Sequence, residues 1–281
     1  MYRKGKYTKS KSPITRTKVF LKRRWKWWKG ISKKKKALYT LGPITAFLVI
    51  VPIATYAYYY NDIGNQDRLL NNNNTGVVLL DKNDKPFFSI DRAEHRDVLP
   101  LDKISDYTEQ ALLSAEDKDF YDHGGFSPLS IMRAMYSNLA ARGVTGGGST
   151  ITQQLAKNTL LTSRQTFLRK YQELTIAMAI EQRYTKDEIL SMYLSSVYYG
   201  DNAFGIEEAA DVYFKKSPAK LTLAESAIIV GVLPAPSSYS PVTGSLKLAK
   251  ERQRYVLDRM VEDKHITQEQ ADKAYKVKLK F

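Results

Sequence analysis

An uninterrupted apolar run is the strongest feature of the hydropathy pattern along this chain. Residues 37–60 form a run of 24 without one charged side chain. At about 1.5 Å of rise per residue, such a helix is about 36 Å long and exceeds the roughly 30 Å hydrocarbon core of a bilayer. Tyrosines cluster at one end of the run and three tryptophans precede the other, as in the aromatic belts of membrane spans. The pattern therefore predicts a transmembrane helix over residues 37–60.

Beyond this run the pattern predicts a mainly α domain with a small β element at its start. Residues 61–75 are polar and rich in asparagine, which is typical of a linker. Two strand-like runs, at 77–80 and 86–90, surround a polar turn and predict a hairpin. From about residue 102 onward, apolar residues recur at helical spacing, for example over 167–182. We therefore expect a helical domain over residues 76–281.

Capping patterns mark where several of these helices begin. Ser127-Pro128 predicts a helix that runs towards Ala141, because proline is favoured in the first helical position. Ser149 is predicted to cap a helix that continues through Leu160. A threonine followed three residues later by Glu or Gln is the pattern of a capping box. Three such boxes begin at Thr185, Thr222 and Thr267.

The charge is distributed very unevenly. The net charge is +15, yet residues 1–36 hold 16 Lys and Arg and no acidic residue, which leaves 28 basic against 29 acidic residues in the rest. Nucleic-acid binding by the folded domain is therefore excluded, because such binding needs an excess of cations there. Basic residues beside a span stay in the cytoplasm, so we predict a cytoplasmic tail over residues 1–36 and an extracytoplasmic domain. A cleaved signal peptide is the alternative, but the basic region is too long and no A-x-A-like site follows.

A glycine-rich loop that leads into a helix is the first candidate for chemistry. Three glycines at 146–148 precede Ser149. The free N–H groups and the dipole of a helix N-terminus favour an anion. Cationic side chains that suit a departing pyrophosphate stand in this and neighbouring segments, at Arg133, Lys157, Arg164 and Lys170. The alternative is a flexible loop beside solvated cations.

Two carboxylates are candidates for catalysis. Glu116 follows an apolar run at 111–113 and precedes Phe120. Burial there would raise the pKa of Glu116 and suit it to act as a general base. Glu173 shares a helix face with Lys170. Either carboxylate, taken alone, is equally compatible with an ordinary surface position. The three histidines lie far apart in the sequence, so no independent metal site is predicted.

Five ordered segments resemble the motifs of the peptidoglycan glycosyltransferase family, which occurs alone or as the first module of class A penicillin-binding proteins. The likeness extends from about residue 97 to 275. Ser195 departs from the asparagine that is usual in the fourth motif. The segments are EDKDFYDHGG (116–125), GGGSTITQQLAKN (146–158), RKYQE (169–173), ILSMYLSSVYYG with the following Gly-Ile (189–206), and a region similar to the fifth block (223–237).

The resemblance implies a lysozyme-like helical fold and the polymerisation of lipid II. Glu116 would take the proton from the GlcNAc 4-hydroxyl of the acceptor, and that oxygen would displace undecaprenyl pyrophosphate from C1 of the donor MurNAc with inversion. Glu173 would support the donor site or the leaving group, and Asp117 would orient its neighbours. The substrate-binding residues implied by the family motifs are Arg133, Ser149, Thr150, Gln153, Gln154, Lys157, Asn158, Arg164, Arg169 and Lys170.

The resemblance also implies cofactors and partners. A divalent cation, Mg²⁺ or Mn²⁺, is expected at the pyrophosphate, with no organic cofactor. The expected partners are lipid II, the growing glycan strand, the membrane and transpeptidase, divisome or elongation proteins. A transpeptidase module is not expected, because Ser217-Pro218-Ala219-Lys220 has the Ser-x-x-Lys spelling inside the glycosyltransferase region and Lys-Thr-Gly is absent. The sequence thus predicts either a single-module enzyme or part of a longer one.

Two other functions are compatible with parts of the pattern. A glycan-cleaving enzyme similar to lytic transglycosylases would also use a glutamate. The cation-rich glycine segment argues against it, since glycan cleavage leaves no pyrophosphate to bind. A non-catalytic membrane scaffold is the other alternative, and the presence of both Glu116 and Glu173 argues against that function.

Overall fold

The structure, a computed structural model, describes residues 13–71, 77–80, 82, 86–90, 97–128, 132, 148–161 and 166–281. The chain divides into two compact units, Met1–Ile53 and Ala54–Phe281. The first unit contains helix α1 (Pro13–Gly30) and most of helix α2 (Lys33–Ile63), which includes the predicted span. Within the described residues, α2 is long and apolar enough to cross a membrane, and none of the residues in its most apolar stretch is buried. Pro43 and Pro52 lie inside it, as membrane helices tolerate.

The second unit is mainly α-helical, which confirms the predicted fold class. Three short 3₁₀ turns, at Leu101–Lys103, Phe120–Asp122 and Pro218–Lys220, connect its helices. The α-helices described in this unit are α3 (Gln66–Asn71), α4 (Asp106–Glu116), α5 (Ile151–Leu160), α6 (Phe167–Arg183), α7 (Lys186–Ser196), α8 (Ile206–Phe214), α9 (Leu223–Val232), α10 (Pro236–Tyr239), α11 (Leu246–Glu262) and α12 (Gln268–Lys276).

Two small hairpins complete the unit. Strands β1 (Val77–Leu80) and β2 (Pro86–Ile90) pair antiparallel with an irregularity in register near Leu80, which confirms the predicted hairpin. Strands β3 (Tyr198–Gly200) and β4 (Ala203–Phe204) form a second hairpin, which the sequence pattern did not predict. The two residues between them, Asp201 and Asn202, have φ values of 50° and 62°. Positive φ at both turn residues is the requirement of a tight hairpin turn, and Asp and Asn tolerate it best after glycine.

Helix α9 forms the centre of the core. All of its residues after the first are buried, and it packs against α4 and α11. Gly231 permits the close approach to α11, because a Cβ there would lie 3.2 Å from the backbone carbonyl carbon of Arg252. The hydroxyls of Thr108 and Ser226 are hydrogen-bonded at 2.9 Å between α4 and α9. This packing fixes α4, and therefore Glu116 at its C-terminal end.

The predicted helix starts agree with the structure at most positions. The capping boxes at Thr185 and Thr267 are present, and at Thr222 the carboxylate of Glu225 accepts from the threonine N–H at 2.9 Å. The prediction for Ser149 was wrong by one residue, because Thr150 caps α5 and accepts from the Gln153 N–H. The helix predicted over residues 127–141 lies largely outside the described residues.

The predicted linker, residues 61–75, differs from the structure in its first half. Helix α2 continues to Ile63, and α3 follows at once. Leu69 and Leu70 are buried in the core of the second unit, and the Tyr184 hydroxyl donates to the Ile63 carbonyl at 2.7 Å. Burial of this adjacent pair of leucines therefore packs α3 into the core of the second unit, although the segment as a whole is polar.

Candidate active site

Glu116 is the last residue of α4, and its carboxyl is partly buried. Its Oε2 accepts a hydrogen bond from Gln154 Nε2 at 2.9 Å. Burial raises the pKa of Glu116, while this hydrogen bond and the positive charge of Arg252 lower it. The balance is a pKa above the ordinary glutamate value. A carboxyl of this kind holds a proton more readily than a surface glutamate, as a general base requires.

Asp117 connects α4 to the beginning of α5. Its carboxylate accepts from His123 Nε2 at 2.9 and 3.0 Å and from the backbone N–H of Ile151 at 3.0 Å. A negative charge at this position also interacts favourably with the dipole of α5. Asp117 is buried, and these hydrogen bonds connect it to His123 and to the first residue of α5.

Two side chains predicted to bind substrate, Thr150 and Gln153, are buried in this structure. Thr150 and Gln153 are 1% and 2% exposed. The Gly125 carbonyl accepts from the Thr150 hydroxyl at 2.9 Å and from Gln153 Nε2 at 3.1 Å. Gly125 has a φ of +76°, and a Cβ there would lie 3.0 Å from the Ala177 carbonyl oxygen. The polar atoms of Thr150 and Gln153 are thus used in hydrogen bonds within the fold, and direct contact of these side chains with substrate stays a prediction.

A cation group lies at the beginning of α6, around the buried carboxylate of Glu173. Lys170 Nζ lies 2.5 Å from Glu173 Oε1 and donates to Ser149 Oγ at 2.8 Å. Arg169 lies on the other side, 3.8 Å from Glu173 Oε2. Since Glu173 is 2% exposed, it holds two cations in place and is not itself open to a substrate. The catalytic role predicted for Glu173 stays a prediction.

Lys157 on α5 is the third member of this cation group, and it also interacts electrostatically with Glu116. The surrounding protein desolvates its amine and lowers the pKa of Lys157, while the charges of Glu173 and Glu116 raise it. Its pKa is also lowered by the neighbouring cations Arg169 and Lys170. Three cations, Lys157, Arg169 and Lys170, thus interact with the carboxylate of Glu173, and this excess of positive charge makes this side of the site favourable for an anion.

The structure describes only some of the remaining predicted site residues. Asn158 lies exposed on α5, next to Lys157. Arg133 and Arg164 lie outside the described residues, as do the first two glycines of the loop. Ser195, which replaces the asparagine usual in the fourth motif, accepts a hydrogen bond from the Leu99 N–H at 2.9 Å. Its hydroxyl therefore joins α7 to a loop.

Two residues near Glu116 were missed by the sequence analysis. Arg252 on α11 is close enough for its charge to lower the pKa of Glu116. Its guanidinium lies 4.3 Å from the centre of the Tyr255 ring. No motif marks Arg252, since only the packing of α11 brings it to the site. Tyr193 of α7 contacts Gln154, and its position inside the fourth motif was the available signal.

The divalent cation implied by the resemblance is not supported by these side chains. Within the described residues, no three His, Asp or Glu side chains gather as a metal site does. Glu173 is already paired with Lys170 and Arg169, and such cations repel a metal ion. The described residues therefore form no independent metal site, and the cation expected at the pyrophosphate stays a prediction.

Known proteins resemble this chain over its folded domain. Residues 83–261 match the model of the family described as Transglycosylase. Penicillin-binding protein 1A of Neisseria cinerea is 44% identical over 182 residues, which are 64% of this chain and 23% of that protein. Penicillin-binding protein 1F of Bacillus subtilis is 36% identical over 241 residues, which are 85% of this chain and 33% of that protein. A crystal structure of penicillin-binding protein 1A from Haemophilus influenzae aligns with 70% of this chain, and the aligned part is 20% of the crystallised chain. The TM-score is 0.40 and the sequence identity is 23%. The chain spans between 23% and 33% of the length of these curated relatives.

Proposed function

The chain belongs to the transglycosylase family, and we propose that it is a peptidoglycan glycosyltransferase that polymerises lipid II into glycan strands. One observation supports this most directly: the partly buried carboxyl of Glu116 interacts electrostatically with Lys157, and Lys157 belongs to a group of cations with Arg169 and Lys170. Transfer of a sugar from a pyrophosphate needs a base on one side of the reacting carbon and positive charge on the other. The site therefore suits glycosyl transfer better than cleavage of a neutral glycan.

In the proposed reaction Glu116 is the general base. Its carboxylate takes the proton of the acceptor GlcNAc 4-hydroxyl while that oxygen forms a bond to C1 of the donor MurNAc. The bond between C1 and the pyrophosphate oxygen breaks on the opposite face, and the pyrophosphate leaves with the electron pair, so the configuration at C1 inverts. The raised pKa of Glu116 improves its ability to accept the proton near neutral pH.

The cation group would stabilise the leaving undecaprenyl pyrophosphate. Lys157, Arg169 and Lys170 supply positive charge where negative charge grows as the bond breaks. Glu173 keeps Arg169 and Lys170 in fixed positions through its two oxygens. Preorganised charges of this kind need no rearrangement during the reaction, which is the source of their catalytic effect.

Helix α2 would place this site at the membrane. We assign the basic tail to the cytoplasm and the helical domain to the outer side, where α2 holds the domain near the lipid-linked substrate. Tethering raises the effective concentration of a membrane-bound substrate at the site. Transpeptidase, divisome or elongation partners stay a prediction.

Substitution of Glu116 tests the proposed function. The full chain in detergent or vesicles is incubated with lipid II, and glycan polymer is measured by gel electrophoresis. Wild-type protein is expected to form polymer, and Glu116→Gln to slow it by about 10²–10⁴. Glu109→Gln is the matched control, because Glu109 lies two turns earlier on α4 and also has a pKa raised by burial. Full activity of Glu116→Gln, or shortening of added glycan without polymer, contradicts the proposal.

A further inference from the structure

The proposed base is connected to a buried tyrosine through one amide side chain. The Tyr193 hydroxyl donates to Gln154 Oε1 at 3.0 Å, and Gln154 Nε2 donates to Glu116 Oε2 at 2.9 Å. We propose that Tyr193 is a positioning residue that fixes the amide of Gln154, so that its N–H always faces the Glu116 carboxylate. The kinetic consequences of this inference rest on the proposed function, whereas its structural consequences do not.

The direction of the two hydrogen bonds follows from the chemistry of their end groups. A carboxylate only accepts hydrogen bonds, so the amide must present Nε2 to Glu116. Gln154 Oε1 then faces Tyr193, whose hydroxyl must donate. Burial raises the pKa of Tyr193 well above its ordinary value, so the hydroxyl keeps its proton throughout the range in which Glu116 titrates. Tyr193 is therefore a permanent donor.

The location of Tyr193 makes the hydroxyl difficult to replace. Its side chain is 0% exposed and lies on α7, which packs against α5. Three helices, α4, α5 and α7, meet through this pair of hydrogen bonds. Without the hydroxyl, Gln154 Oε1 would face an apolar ring in a buried position, which an amide oxygen avoids. The amide would then turn and present its oxygen to Glu116 for part of the time.

The charge environment of Glu116 sets the direction of the expected change. Asp117 raises the pKa of Glu116, while Lys157 from α5 and Arg252 from α11 lower it. The Gln154 hydrogen bond also lowers it. An amide that no longer donates removes this last contribution and leaves the charges in place. Loss of the Tyr193 hydroxyl should therefore raise the pKa of Glu116 and make it a base less often at a given pH.

Tyr193→Phe, which removes only the hydroxyl, tests the inference in the full chain. We expect kcat for lipid II polymerisation to fall about two- to tenfold, as for one lost hydrogen bond. The acid limb of the pH profile should move to higher pH, with KM unchanged. Tyr199→Phe is the matched control, because Tyr199 is also 0% exposed and its hydroxyl reaches the Leu194 carbonyl at 3.5 Å. A wild-type profile for Tyr193→Phe overturns the inference.

The same substitution in a Gln154→Leu variant separates positioning of the Gln154 amide from a general effect on the fold. In Gln154→Leu the amide is absent, so adding Tyr193→Phe should produce no further change in kcat or in the pH profile. An equal additional loss in that background would show that Tyr193 acts by another route, and the inference would be wrong.

A substrate-free measurement keeps this inference distinct from the proposed function. The carboxyl signal of Glu116 in ¹³C-labelled protein, assigned by its absence in Glu116→Gln, gives the pKa directly by NMR titration. A higher pKa in Tyr193→Phe, without polymer formation by wild-type protein, supports the positioning role and refutes the proposed function. Polymer formation with the same Glu116 pKa in both proteins refutes the positioning role alone.

Discussion

Replacement of Asp117 by asparagine should destabilise the helical domain by an amount that follows from its contacts. The carboxylate uses both oxygens as acceptors, one towards His123 alone and the other towards His123 and the Ile151 N–H. An asparagine amide has a single acceptor oxygen. In Asp117→Asn, the NH₂ group must therefore face at least one of these donors.

The magnitude follows from what is left unpaired. If the amide NH₂ faces Ile151, a buried backbone N–H loses its acceptor, at a cost of about 1–3 kcal/mol. If it faces His123, the imidazole must accept there and carry its proton on Nδ1, a buried atom without a hydrogen-bond partner among the described residues. Loss of the negative charge beside the α5 N-terminus adds about 0.3–2 kcal/mol. The total is about 1.3–5 kcal/mol, or roughly 3–20 °C in Tm for a domain of this size.

Thermal unfolding followed by far-ultraviolet circular dichroism is the suitable assay. All three tryptophans lie at positions 25, 27 and 28, so tryptophan fluorescence would not report on the helical domain. Asp122→Asn is the matched control, because Asp122 belongs to the same segment and is exposed. A melting temperature of Asp117→Asn equal to that of Asp122→Asn would refute this reasoning.

The same variant has a second expected effect. The negative charge of Asp117 raises the pKa of Glu116, so its removal should lower that pKa. The acid limb of the activity profile should therefore move to lower pH, even as the maximal rate falls. A limb that moves to higher pH would show that Asp117 acts on Glu116 mainly through the geometry of α5.

Three further changes have defined outcomes. Arg252→Gln removes a charge that lowers the pKa of Glu116, so the acid limb should move to higher pH; an unchanged pH–rate profile would mean that Arg252 is remote from the base. Gly205→Ala should destabilise the domain by about 1–3 kcal/mol in thermal unfolding. Gly205 has a φ of +84°, and a Cβ there would lie 2.5 Å from the Ser195 carbonyl oxygen. Gly124→Ala is the control and should be neutral, because no atom lies within 4 Å of its Cβ position. In reconstituted vesicles, lipids brominated near the headgroup should quench the tail tryptophans more than lipids brominated at mid-chain. Equal emission in all lipids would contradict membrane anchoring through α2.

Much of the fold was predictable because its signals are local. The apolar run of α2, the β1–β2 hairpin and the capping boxes at Thr185 and Thr267 each depend on residues a few positions apart. The candidate base was predictable for a related reason, since Glu116 stands in a motif that can be read from consecutive residues. The polar segment after α2 was misread because composition was averaged over Leu69 and Leu70, whose burial depends on distant helices.

Only the tertiary structure decided how the site residues divide their roles. Gln153 and Gln154 are neighbours in one motif, but successive residues on a helix point about 100° apart. Packing of α5 against α6 and α7 directs Gln153 towards the Gly125 carbonyl and Gln154 towards Glu116 and Tyr193. The contributions of Arg252 and Tyr193 likewise depend on contacts between helices far apart in the chain. The sequence by itself determined the membrane-length apolar helix, the first hairpin and most helix starts, because those signals are local. Burial and hydrogen bonding between distant helices determined the position of α3 and which side chains contact Glu116.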